Sequence, residues 1–115
     1  MQHNVLREKS IAFGARIIKL KQFLLKKNEK ELASQVIRSG TSVGANIMES
    51  QYAQSRADFI SKLHIAAKEA AETEYWLLIL QAAEILSTAQ AESLLQDCRE
   101  LQKLLISSLN TAKKD

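Results

Sequence analysis

Proline is absent from the 115 residues, and glycine occurs only at Gly14, Gly40 and Gly44. Sandwiches of strands and α/β folds of this length turn the chain many times, and tight turns draw on both residues. Their scarcity points to long helices. A single cysteine, Cys98, excludes an intramolecular disulfide and any multi-cysteine metal site. Aromatic residues make up only 5%, so few rings are available as stacking platforms, and most of those read as buried. The opening segment MQHNVLREKS lacks the apolar core of a signal peptide, and no window of about 18 residues is both uncharged and apolar. The expectation is a cytoplasmic protein with no membrane segment. What is present is ordinary for one globular domain spanning residues 1–115: 46% hydrophobic and 25% charged.

The net charge of +3 is unevenly spread. Residues 1–30 hold eight basic and two acidic residues, a net of +6, and the remainder carries −3. A basic first segment suits an anionic partner such as nucleic acid; it also suits a plain solvated helix face.

Four helices are expected, over about residues 5–27, 29–52, 56–86 and 88–110. Asn28 with Glu31, and Ser87 with Gln90, have the spacing of a capping box, in which side chain and backbone satisfy each other's free N–H groups. Ser55, with Asp58 at the third helical position, marks a third start. Short connections between long helices predict an all-α, antiparallel up-down-up-down four-helix bundle.

Periodicity on the first helix shows two apolar rows. Leu6, Phe13, Ile17, Leu20 and Leu24 share a core face, while Ile11, Ile18 and Leu25 form a second row roughly 120° away. The third helix is apolar on most sides between Trp76 and Leu86. So much apolar surface on a short chain predicts a homo-oligomer. The same first helix carries six cations: Lys9, Arg16, Lys19, Lys26, Lys27 and Lys30 fall within about 100° of arc at 100° per residue. Ala12 and Phe23, not acids, interrupt them. Such a row predicts salt-dependent binding to the phosphates of RNA or DNA, with Arg16, Lys19, Lys26 and Lys27 as the main contacts and little base specificity.

The second helix carries a polar stripe of Gln35, Arg38, Ser42, Asn46 and Glu49, set apart from the core positions Leu32, Val36, Val43 and Ile47. Gly40 and Gly44 border the core face and predict close approach of a neighbouring helix. Asp58, Lys62 and Glu69 of the third helix are candidate partners for the stripe. Two readings fit it: an interhelical polar network that sets register, or a ligand or RNA site using Arg38, Asn46 and Lys62.

The segment Gln35-Val36-Ile37-Arg38-Ser39-Gly40-Thr41-Ser42-Val43-Gly44-Ala45-Asn46-Ile47-Met48-Glu49 resembles the signature of the proteins encoded within intervening sequences of bacterial 23S ribosomal RNA genes, the S23 ribosomal protein family. Ser55-Arg56-Ala57-Asp58-Phe59-Ile60-Ser61-Lys62-Leu63, continuing through Ala66 and Glu69 to Tyr75-Trp76-Leu77, extends the match. The resemblance implies a four-helix bundle assembled as a ring-like homopentamer, in a family with no assigned enzyme activity. It also implies kinship with the accessory protein of diversity-generating retroelements, which binds nucleic acid and a reverse transcriptase. The motif positions it brings to this chain are Gln35, Arg38, Ser42, Asn46, Glu49, Lys62 and Glu69, for which the family offers no settled role.

Catalytic signatures are missing. His3 and His64 lack metal-ligand spacing, and no phosphate loop surrounds Gly40 and Gly44. Cys98 lies in a row with Leu94, Leu101 and Leu105, the pattern of a small core residue. Arg56 and His64 have seven residues between them, just outside the Arg-x4–6-His spacing of small helical ribonucleases. No catalytic residue, metal or cofactor is expected. The expected function is a nucleic-acid-binding accessory protein; the alternative is a structural or protein-interaction scaffold.

Overall fold

Two residues with left-handed backbone, Asn28 (φ 62°) and Glu84 (φ 60°), stop the first and third helices. At the first stop, the N–H of Glu29 reaches back to the carbonyl of Leu24 at 2.9 Å, and that of Asn28 to Leu25 at 3.0 Å. At the second, Ile85 bonds Leu80 and Glu84 bonds Gln81, each at 3.0 Å. Both are the six-to-one and five-to-two pairings that close a helix C-terminus without glycine. The computed structural model describes the backbone of residues 2–114 and the side chains of residues 5–114. Within it lie α1 (Gln2–Lys26), α2 (Lys30–Ser50), α3 (Arg56–Ala82) and α4 (Thr88–Lys114).

Three boundaries differ from the sequence expectation. Asn28 does not cap α2; it ends α1, and Glu29 occupies the N-cap with no side-chain bond. Asn tolerates left-handed backbone better than most residues, and here that use displaces the capping box. The third helix stops at Ala82, so Ile85 and Leu86 belong to the connection, and Leu86 turns inward to be buried. The fourth helix runs on to Lys114. Two expected starts hold. The Ser55 side chain accepts from Asp58 N at 3.1 Å. Ser87 and Gln90 cap reciprocally, at 2.9 and 3.1 Å.

The helices stand in an antiparallel square. The side α1 shares with α2 is opposite the side α3 shares with α4; α4 closes the ring on α1, and among the described residues the backbones of diagonal helices stay farther apart than those of neighbours. The molecule measures 47 × 21 × 19 Å. Its core runs the length of the bundle through Phe13, Ile17, Leu24, Val36, Ile47, Leu63, Leu77, Leu80, Leu95 and Leu105. Gly40 sits where α1 and α2 come closest: a Cβ there would lie 2.8 Å from both γ-carbons of Ile17. Gly44 is less constrained, since its Cβ would meet Ser10 at 3.4 Å, an ordinary contact. Cys98 is buried, as its row predicted, with Sγ 3.4 Å from the carbonyl oxygen of Ala70. No described helix is long and apolar enough to cross a membrane.

Candidate functional site

The six cations of the basic row divide into two groups. Lys9 and Arg16 each precede a core position, Ser10 and Ile17, and so look along the seam toward α4. There α4 presents acids. Lys9 Nζ lies 3.1 Å from Glu100 Oε1. Arg16 Nη1 donates to Asp97 Oδ2 at 2.7 Å and to the Ser93 carbonyl at 3.1 Å, and Nη2 donates to Ser93 Oγ at 2.9 Å. The remaining four cluster toward the end of α1 and the start of α2. Lys27 Nζ lies 5.1 Å from the centre of the Phe23 ring, a cation–π contact. Lys19, Lys26 and Lys30 are exposed and have no carboxylate partner among the described residues.

The polar stripe of α2 lies on its flank toward α3 and resolves into three clusters. Arg38 bridges Glu69 at 3.3 Å and Glu72, and takes Gln35 Oε1 at 3.3 Å. Glu49 pairs with Lys62 at 3.0 Å. That hydrogen bond, and the charge behind it, raise the Lys62 pKa above its ordinary value. Asn46 stays within its own helix, donating to Ser42 O at 2.9 Å and Oγ at 3.1 Å. Asp58 touches the stripe only through its charge, which adds to that of Glu49 on Lys62; its carboxylate accepts from Gln54 N at 3.3 Å in the turn before α3.

Four participants, Glu72, Trp76, Ser39 and Thr73, were not singled out from the sequence. Trp76 Nε1 donates to Glu72 Oε2 at 3.0 Å, which orients the second carboxylate on Arg38. Glu69, Glu72 and Trp76 are spaced by three and four, so one helix face contained the signal. Deeper in, Ser39 and Thr73 are fully buried, with hydroxyls 3.0 Å apart. Thr73 also bonds the Glu69 carbonyl at 2.8 Å. A threonine hydroxyl has one proton and a carbonyl can only accept, so Ser39 supplies the proton between the two hydroxyls.

On the other flank of α3, Glu74 accepts from Arg99 Nε and Gln102 Nε2, both at 3.0 Å. The Gln102 hydrogen bond, with that of Arg99 and its charge, holds the Glu74 carboxyl below its ordinary pKa against a modest burial penalty. Burial, reinforced by the charge of Glu74, pushes the Cys98 thiol up to about 12. Such a thiol stays protonated and is a poor nucleophile. No group of three metal-ligating side chains occurs among the described residues. The His3 side chain lies outside them, and His64 is exposed. The aromatic rings are less hidden than their scarcity suggested: Tyr52 and Tyr75 are exposed, because one sits in the α2–α3 turn and the other on the outer face of α3.

The family model of the 23S rRNA-intervening sequence protein matches residues 2–107, nearly the whole chain. The chain belongs to that family. A crystal structure of a protein of unknown function from the S23 ribosomal protein family, from Bacteroides thetaiotaomicron VPI-5482, is similar at 50% identity and a TM-score of 0.94. The match covers 96% of this chain and 99% of that one. No curated protein matches. Family membership and the helical square agree.

Proposed function

We propose that this member of the 23S rRNA-intervening sequence protein family is a non-enzymatic, oligomeric nucleic-acid-binding protein. The observation that carries the reading is the exposed cluster of Lys19, Lys26, Lys27 and Lys30, of which none is paired with a carboxylate among the described residues. Phosphates are the natural counterpart of such a surface, since each one bound releases condensed counterions. Nothing in the cluster reads base edges, so affinity would depend strongly on salt and weakly on sequence. Arg16 drops out of the main contacts, because its guanidinium is already bonded to Asp97 and Ser93. Oligomerisation would repeat the cluster around an assembly and strengthen its field. The second apolar row supports it: Ile11, Ile18 and Leu25 are all exposed in the protomer. A stoichiometry of five follows from the family resemblance alone.

The test is a salt titration of binding to a structured RNA, read by fluorescence anisotropy. Wild-type protein is expected to bind at low salt and release steeply as salt rises. Changing Lys19, Lys26, Lys27 and Lys30 to Glu should abolish binding with the helical signal intact. Absence of affinity for RNA and DNA at low salt overturns the reading. A scaffold role then takes its place, favoured by one observation: Lys9 and Arg16 spend their charge on α4.

A further inference from the structure

We infer that the lysine cluster at the end of α1 is a site for double-stranded RNA. Lys19, Lys26, Lys27 and Lys30 hold its phosphates, and the side-chain amides of Gln22 and Asn28 meet its ribose 2′-hydroxyls. This rests on the nucleic-acid reading above and adds which form of nucleic acid fits.

Ala12, Ala15, Lys19, Gln22 and Lys26 recur at spacings of three and four, and all five are exposed. They form one strip along the outer face of α1. Glu8, exposed one turn earlier, bounds the strip with negative charge. The cations therefore occupy only its second half, and Ala12 and Ala15 leave the first half smooth. Lys27 and Asn28 follow at the helix end, and Lys30 opens α2 beside them. Lys19 and Lys27 stand eight residues apart, about 12 Å along the axis. A duplex carries one phosphate charge per about 1.7 Å of its axis, so about seven lie within that reach. A lone strand of the same rise offers about half as many.

Proteins that hold single strands stack successive bases on aromatic rings. The cluster has no free ring to offer: Phe23 is half-buried against the core, and Lys27 lies over it. The exposed rings are elsewhere, Tyr52 in the turn at the opposite end of the bundle and Tyr75 on α3. Gln22 and Asn28, by contrast, stand exposed among the lysines. Their side-chain amides make no hydrogen bond within the protein among the described residues. An amide both donates and accepts, as a 2′-hydroxyl does. The minor groove of A-form RNA is wide and shallow and displays those hydroxyls, so a convex helix face reaches them and the flanking phosphates together. The major groove of B-form DNA, about 12 Å wide and 8.5 Å deep, admits a protruding helix. α1 does not protrude: it is one corner of a square measuring 21 × 19 Å.

The test measures affinity by fluorescence anisotropy for three labelled probes of one sequence: an RNA duplex of about 20 base pairs, the matching DNA duplex, and one RNA strand alone. The RNA duplex should bind about tenfold tighter than the single strand and about fivefold tighter than the DNA duplex. Gln22→Ala/Asn28→Gly should erase the gap between RNA and DNA duplexes while leaving DNA affinity within about twofold. Both residues are exposed, and glycine keeps the left-handed backbone of Asn28, so the variant should fold, as circular dichroism checks. A single strand or a DNA duplex bound as tightly as the RNA duplex overturns this inference and leaves the nucleic-acid reading standing. So does a preference for duplex RNA that the double variant keeps in full. Failure of all three probes to bind at low salt overturns the nucleic-acid reading and this inference with it.

Discussion

Ile17 packs directly on the backbone of Gly40, at a point where a Cβ would stand 2.8 Å from its two γ-carbons. Ile17 is fully buried and branched at Cβ, so it has no free rotamer to retreat into. Gly40→Ala should therefore destabilise the protein by about 1–3 kcal/mol, despite the better helix propensity of alanine. Gly44→Ala, whose Cβ would touch Ser10 at ordinary distance, should be neutral or gain up to about 1 kcal/mol. Urea denaturation of the two variants measures the contrast. Adding Ile17→Ala to Gly40→Ala should cost less than the sum of the two single changes.

The α2–α3 seam should respond unequally to loss of its polar contacts. Arg38 is half exposed, so its pairs with Glu69 and Glu72 are screened by solvent, and Arg38→Ala should cost no more than about 1 kcal/mol. Thr73→Val preserves shape but leaves the buried Ser39 hydroxyl without its partner. That change should cost about 1–3 kcal/mol, more than the loss of the arginine. Thermal melts of both variants decide the order.

Acid should weaken the α3–α4 seam through Glu74. Its folded pKa is depressed below 4.5 by Gln102 and Arg99, so its contribution is present above that value and is lost as pH falls through the folded pKa. Between neutral pH and the acid limb, the fall in Tm should be shallower for Glu74→Gln than for wild type. An identical slope would show that Glu74 carries none of the acid sensitivity.

Cys98 should be silent in the folded protein. With its thiol pushed up to about 12 by burial, an aromatic disulfide reagent at pH 8 should label it only at the rate of unfolding. Rapid stoichiometric labelling under native conditions would contradict its place in the core.

Helix starts at Ser55 and Ser87 were legible because an N-cap is local chemistry between a side chain and an N–H three residues away. The ends at Asn28 and Glu84 were not. Asn28 fits both a capping box and a left-handed stop, and Glu84 has no intrinsic preference for positive φ. What decides them is the connection: at the second stop the chain must turn back so that Leu86 enters the core.

The all-α class, the four helices, the core rows and the exposed second row of α1 follow from the sequence alone, because they are repeats within one helix and need no partner to be read. The family signature along α2 is equally local. The fate of the basic row is not. Helical phase places Lys9, Arg16 and Lys19 within one arc, but only the packing of α4 decides that the first two meet Glu100 and Asp97 while the third faces water. The same holds for Arg38, whose second carboxylate, Glu72, is 34 residues away. Charge sign and helical angle are properties of a segment; whether a charge is neutralised depends on which helix lies beside it, and long-range packing alone settles that.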